Sequence, residues 1–169
     1  MATGTRMEKL VILTTGGTLD KDHDTFTESL VLGAENITNV PELLRIARTK
    51  YPRVQPIMSL DSLDMTDEHR EQILGAVKIV PERCVVITHG TGTMEVTARY
   101  LDGKTGDKTV ILTGALRPFA IGKSDAGFNV GGAVIAAQTL PAGVYAVMNG
   151  RVFNATDVHK DVQTGRFDI

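Results

Sequence analysis

Residues 84–93 read CVVITHGTGT, an apolar run that passes directly into a turn rich in glycine and threonine. The apolar run has no alternating polar positions, which is typical of a strand buried on both faces of a parallel sheet. Three further runs share this character, at residues 10–13, 110–112 and 144–147, and a weaker one at residues 54–58 contains Pro56. Because proline lacks a backbone donor, we expect this fifth strand near an edge of the sheet.

Helical patterns separate these strands, at residues 39–50, 66–80, 93–101 and 128–140. Asn39 and Glu42 have the spacing of a capping box. Residues 128–140 are nearly all small and apolar, which predicts a buried helix. Since strands and helices alternate throughout, the sequence predicts an α/β protein: a three-layer αβα fold with a mostly parallel, Rossmann- or flavodoxin-like sheet.

Composition excludes several classes of protein. The 169 residues carry 18 Lys+Arg and 20 Asp+Glu, a net charge of −2, and no long basic run, which argues against nucleic acid as a partner. No apolar run is long enough for a membrane span, and the first ten residues lack the apolar stretch of a secretory signal. The only cysteine, Cys84, cannot form an internal disulfide and is expected in a buried strand. Together these features predict a cytoplasmic protein.

The segments after the strands are the candidate ligand site, because ligands of open α/β sheets bind beyond the carboxyl ends of the strands. Four such segments are small and rich in hydroxyl groups: 14–18 (TTGGT), 59–64 (SLDSLD), 89–93 (HGTGT) and 113–117 (TGALR). TTGGT matches neither the dinucleotide nor the P-loop glycine pattern. A phosphate at the helix start after HGTGT remains an alternative.

Other residues near these segments have more ordinary interpretations. We expect His89 to be packed or hydrogen-bonded to backbone groups rather than to ligate a metal. We expect Arg117 to fix the loop after TGA by bonding backbone carbonyls rather than to contact a substrate. Glu95 is expected as a surface acid favoured by the helix dipole, with a role in the site as the alternative. Residues 19–36 form the least regular stretch of the chain, which predicts a lid or a mobile hairpin.

Three motifs together resemble the asparaginase/glutaminase family of threonine amidohydrolases: LTTGGT at 13–18, ITHGTGTM at 87–94 and TGALRP at 113–118. The resemblance continues through DSLDM at 61–65 and VMNGRV at 147–152. Longer members of the family have a second, C-terminal domain. The resemblance therefore implies one domain of the asparaginase N-terminal type over residues 1–169, with the C-terminal domain absent.

The resemblance implies a catalytic set of three residues. Thr18 takes the place of the family's nucleophile, and Thr91 that of its second threonine. Lys108 takes the place of the lysine that hydrogen-bonds Thr91 and activates it. A threonine hydroxyl needs such activation because it is a poor nucleophile on its own. No set of Asp, Glu and His residues has the spacing of a metal site, and we expect neither a metal nor a cofactor.

The resemblance also implies a substrate-binding set, made of Gly17, Asp61, Ser62, Gly90 and Gly92. Ser62 takes the place of the family's substrate serine, while Leu63 stands where a glutamine usually follows. Asp61 or Asp64 is then available to contact a substrate amine, although for Asp64 a turn or helix-cap role is the favoured interpretation.

The sequence departs from the family pattern at two further places. Gly92 stands where the family has an aspartate that holds the substrate's α-ammonium group. The loop at 19–36 has no tyrosine; its nearest candidates are His23, which could act as a base, and Phe26, which could cover the site. An ordinary loop histidine is the alternative for His23.

The resemblance implies hydrolysis of the side-chain amide of L-asparagine, or of a related small amide, to an acid and ammonia. The expected partners are this small amide or amino-acid substrate and further copies of the chain, as a homodimer or homotetramer. The alternative is a catalytically weak or inactive relative that binds an amino-acid-like ligand.

Overall fold

The structure is a computed structural model that describes residues 9–34 and 36–167. Its strands are β1 (Leu10–Gly16), β2 (Lys21–Asp24), β3 (Ser29–Leu32), β4 (Arg53–Leu60), β5 (Cys84–Thr88), β6 (Thr109–Thr113), β7 (Gly143–Met148) and β8 (Arg151–Asn154). Six of them form a sheet in the order β4-β1-β5-β6-β7-β8, while β2 and β3 form a separate antiparallel hairpin. All pairs in the large sheet are parallel except β7 with β8.

Helices cover both faces of this sheet: α1 (Val40–Ile46), α2 (Asp67–Ile79), α3 (Met94–Leu101) and α4 (Ala126–Thr139). Successive side chains of a strand point to opposite faces. In β1, Val11 and Leu13 therefore join the apolar cluster beneath α2 and α3, whereas Leu10 and Ile12 join the cluster beneath α1 and α4. The predicted three-layer αβα fold is confirmed.

All five predicted strands are present, and their positions explain their sequences. The four clean apolar runs lie in β1, β5, β6 and β7, each of which has a strand on both sides. Pro56 lies in β4 at the edge of the sheet, as expected, where a missing donor is tolerated. Cys84 is buried at the start of β5. The short antiparallel strand β8 was not predicted.

The predicted capping box at α1 is wrong. The Asn39 side chain makes no capping bond, and Glu42 instead pairs with Arg45 one turn along the helix, with 2.6 Å between Oε2 and Nε. The helix start is held from outside by Asp20, whose Oδ1 accepts hydrogen bonds from Thr38 Oγ1 and from the backbone N–H of Asn39. A carboxylate brought in from another segment therefore replaces the local cap.

The prediction that residues 128–140 form a buried helix is half wrong. The face of α4 against the sheet is buried and is built from small side chains such as Ala133 and Ala137. Phe128 and Ile135 lie on the other face and are 69% and 62% exposed. Because the helix is apolar all round, its composition alone could not show which side faces the sheet.

No helix within residues 9–34 and 36–167 is both long enough and apolar enough to span a membrane.

Candidate active site

Three of the four predicted loops touch one another through glycines at the carboxyl edge of the sheet. The N–H of Gly17 donates to the Leu60 carbonyl over 2.9 Å. A Cβ atom at Gly17 would lie 2.5 Å from the backbone N of Gly90, and one at Gly90 would lie 2.5 Å from Ser62 Oγ. Real Cβ atoms do not approach other atoms this closely, so the contacts require glycine.

The fourth loop joins the same edge through His89 and the TGA turn. The His89 N–H donates to the Thr113 carbonyl over 2.8 Å. Arg117 donates from Nε to the Gly122 carbonyl over 2.7 Å, which agrees with its predicted role in fixing this loop. All four predicted loops are therefore gathered at one edge of the sheet.

Thr18 and Thr91 each follow a glycine of the touching pair, Gly17 and Gly90. Thr18 begins a single 3-10 turn (Thr18–Asp20), which the chain enters through Gly17 at a φ of 76°. Its carbonyl accepts a bond from the N–H of Lys21. Thr91 lies in the loop that follows β5 and is buried. The structure thus brings the two predicted threonines to neighbouring positions on the site edge.

The lysine that contacts Thr91 is Lys160. Its Nζ donates to Thr91 Oγ1 over 2.9 Å, and its side chain is half-buried. An amine in this position can pass protons to and from the threonine hydroxyl. Lys160 lies in an irregular polar segment after β8, so neither helical nor strand periodicity could single it out.

The expected hydrogen bond between Lys108 and Thr91 is wrong. Lys108 Nζ donates to the carbonyls of Val80 and Glu82, over 2.6 and 2.7 Å. Lys108 precedes the first residue of β6, whereas the loops lie beyond its last residue. Five strand residues span about 16 Å, so Lys108 is at the far end of the sheet from the candidate site.

Ser62 is buried between the loops and holds the one that carries Thr91. Its Oγ accepts a bond from the Thr93 N–H over 3.3 Å, and its carbonyl accepts one from Thr93 Oγ1 over 2.7 Å. Gly92 lies beside this contact. A Cβ atom there would lie 2.8 Å from Leu63 Cδ2, at the flexible end of a side chain that is 74% exposed.

Asp61 is engaged by other protein groups. Its Oδ2 lies 2.5 Å from Lys21 Nζ, and its Oδ1 accepts a bond from the Leu63 N–H. The Lys21 ammonium is the main reason that the pKa of Asp61 is held below its usual range. Lys21 begins β2, so this ion pair ties the hairpin to the loop that carries Ser62.

His23 and Phe26 lie on the hairpin, which has the form predicted for residues 19–36. Phe26 is 94% exposed and does not cover Thr18. His23 is exposed on β2, and its backbone N–H donates to Asp22 Oδ1. Among the hydrogen bonds of the described residues, none joins the His23 ring to Thr18.

His89 supports the Thr91 loop from below. It is fully buried, and Nδ1 donates to the Gly90 carbonyl over 2.7 Å while Nε2 accepts from Thr97 Oγ1 over 2.8 Å. Burial lowers the pKa of His89 to about 4. The ring is therefore neutral near pH 7. The predicted backbone hydrogen bond of His89 is present.

Ligand sites of open α/β proteins lie at such an edge, and this molecule is an α/β protein with its hydroxyl-rich loops gathered there. Within that class the chain belongs to the asparaginase family: the family model for the N-terminal part of asparaginases matches residues 9–169.

Known relatives agree with this assignment. The chain is 37% identical over 168 residues to L-asparaginase 2 of Escherichia coli, an alignment that covers 91% of this chain and 47% of the relative. It is 32% identical over 173 residues to the glutaminase-asparaginase of Pseudomonas fluorescens, covering 94% and 47%. The crystal structure of a probable cytoplasmic L-asparaginase from Campylobacter jejuni matches with a TM-score of 0.75 and 30% identity, covering 90% and 49%. The chain thus spans about half the length of these relatives.

Proposed function

We propose that this chain is an amidohydrolase of the asparaginase type, which hydrolyses the side-chain amide of L-asparagine or a related small amide to an acid and ammonia. The observation that carries the proposal is the hydrogen bond from Lys160 to Thr91, next to the glycine contact that brings Thr18 to the same edge. The relationship to proteins named L-asparaginase supports the choice of substrate class.

In the proposed reaction Thr18 Oγ attacks the amide carbon, and its proton passes by way of Thr91 Oγ1 to Lys160 Nζ, which acts as the base. The proton then goes to the leaving nitrogen, which departs as ammonia. Water attacks the resulting Thr18 ester, releases the acid and returns a proton to Thr18. Backbone N–H groups of the glycine-rich turns would stabilise the oxyanion.

Ammonia release by the pure protein, with L-asparagine as the first substrate, tests this mechanism. We expect Thr18→Ala to reduce kcat by at least about 10³-fold, and Thr91→Val and Lys160→Met by about 10²-fold or more. Lys108→Met is the matched control, because it removes the same side-chain amine from the far end of the sheet. Equal rates in wild type and all variants would contradict the hydrolase proposal.

The second candidate function is ligand binding with weak or absent catalysis. It is favoured by Gly92, because glycine provides no carboxylate at this position of the Thr91 loop. It is also favoured by the exposure of His23 and Phe26, which leaves both side chains in solvent. Calorimetric binding of asparagine or aspartate without turnover would support it.

Gly92→Asp separates the two candidates. The new side chain has room if Leu63 turns outward, since the Leu63 methyl is the nearest atom. A large gain in activity would mean that the catalytic groups are intact and that only a carboxylate was missing.

We propose a cytoplasmic protein that forms a homodimer or homotetramer. Sedimentation equilibrium of the pure chain measures the assembly, and a monomer at all concentrations would contradict it.

A further inference from the structure

Glu95 and His159 join the two segments that carry Thr91 and Lys160. Glu95 lies in the first turn of α3, four residues after Thr91, and His159 directly precedes Lys160. The two side chains meet with His159 Nδ1 3.1 Å from Glu95 Oε2. Since a carboxylate accepts, Nδ1 donates in this bond.

Lys160 has no regular structure of its own to hold it. The residues from 158 to 160 lie outside any helix or strand. Val158 is anchored on one side by burial and by its N–H bond to the Asn154 carbonyl. On the other side Asp161 organises a turn by accepting bonds from the Gln163 N–H and from Thr164 Oγ1. Between these anchors, His159 bonds Glu95 in the first turn of α3, and Lys160 bonds Thr91 in the loop that precedes this helix.

We propose that Glu95 and His159 are positioning residues, which hold Lys160 Nζ on Thr91 Oγ1. The catalytic consequence rests on the function proposed above, whereas the positioning itself does not. His159 is exposed and Glu95 is half-buried, so their pairing contributes little to global stability. Its effect is on geometry, and a displacement of about 1 Å in a catalytic group can reduce a rate 10²-fold.

The first measurement reports the position of Lys160 without using activity. Limiting acetic anhydride labels amines, and mass spectrometry gives the labelling of Lys160 relative to Lys78, which is exposed on α2. We expect Glu95→Gln and His159→Asn to raise this ratio several-fold, because the amine is released from Thr91. Glu71→Gln is the matched control: Glu71 accepts a bond from Tyr100 on another surface, and its loss should leave the ratio unchanged.

The second measurement is steady-state ammonia release. Both variants should lower kcat about tenfold or more with KM within twofold, at an unchanged thermal midpoint. His159→Arg keeps an N–H donor at this position and should restore most of kcat. The double variant should be no worse than either single one, since both changes break the same bond.

The outcomes separate this inference from the proposed function. An unchanged Lys160 labelling ratio in both variants overturns the inference, whatever the activity. Altered labelling in a protein that releases no ammonia supports the positioning role and contradicts the hydrolase proposal instead.

Discussion

His89 is a neutral histidine in a fully buried position, with both ring nitrogens hydrogen-bonded. Desolvation lowers its pKa from 6.5 to about 4. Between about pH 4 and pH 6.5, His89 is protonated in the unfolded chain but not in the folded chain. The contribution to stability is therefore complete above pH 6.5 and is lost as the pH falls towards 4.

We predict that His89 alone removes roughly 2.5 kcal/mol from the free energy of unfolding between pH 7 and pH 4.5. Urea denaturation at the two pH values measures the loss. In His89→Gln this part of the pH dependence should vanish, whatever the stability of the variant at pH 7. A wild-type difference in His89→Gln would contradict the prediction.

The two lysines show how far residue roles follow from sequence. Thr18 and Thr91 lie in glycine-rich motifs and Ser62 in a hydroxyl-rich one. Each motif directly follows a strand, so the order of strands already places these residues at the site edge. Lys108 also lies next to a strand, but at its amino end. Lys160 reaches Thr91 from 69 residues away along the chain, through a segment with no pattern of its own. Such a contact is set by tertiary structure and is invisible to local periodicity.

At the scale of elements, the touching loops depend on glycine at their contacts. Gly17 combines a φ of +76° with the near contact to Gly90, whereas Gly106 has a φ of +64° and open space around it. An alanine at Gly106 therefore meets only the backbone strain.

We predict that Gly17→Ala lowers the free energy of unfolding by about 3 kcal/mol or more, and Gly106→Ala by only about 1 kcal/mol. Urea denaturation of both variants measures the two losses. Gly17→Ala should also abolish ammonia release, because the displaced loop carries Thr18. An equal decrease in the free energy of unfolding in both variants would mean that the loops can move apart without destabilising the protein, and would contradict the prediction.

The elements themselves were predictable to different degrees. The buried strands could be predicted from the sequence, because a strand that is covered on both faces has a continuous apolar run. The strand β8 has four residues with exposed or half-buried side chains, which leaves no such run. At α1 the sequence suggested a local cap, but the N–H of Asn39 donates to the carboxylate of Asp20, 19 residues earlier in the chain.

At the scale of the whole molecule, one sheet separates two apolar clusters. Ile12 and Leu13 are neighbours in β1 and are both fully buried, one in each cluster. Tyr100 packs against the cluster of Leu13, and Tyr145 packs against that of Ile12. The two tyrosines can therefore report on the two faces separately.

We predict that Ile12→Ala and Leu13→Ala each lower the free energy of unfolding by about 3 kcal/mol, and that both faces unfold together in either variant. Fluorotyrosine NMR during urea denaturation measures the midpoint at each tyrosine. Coincident midpoints are expected, because the strands β1, β5, β6 and β7 each contribute side chains to both clusters. Midpoints that separate in one variant would show that the faces unfold independently.

The glycine contacts between the loops also limit how this site can change over generations. Any side chain added at Gly17 or Gly90 runs into a neighbouring loop, so such a mutation is tolerated only together with a second one elsewhere. Gly92 is different, since the nearest atom belongs to the end of the exposed Leu63 side chain. A single substitution at position 92 can therefore change the specificity of this site. Substitutions at Gly17 or Gly90 require a simultaneous change in the neighbouring loop.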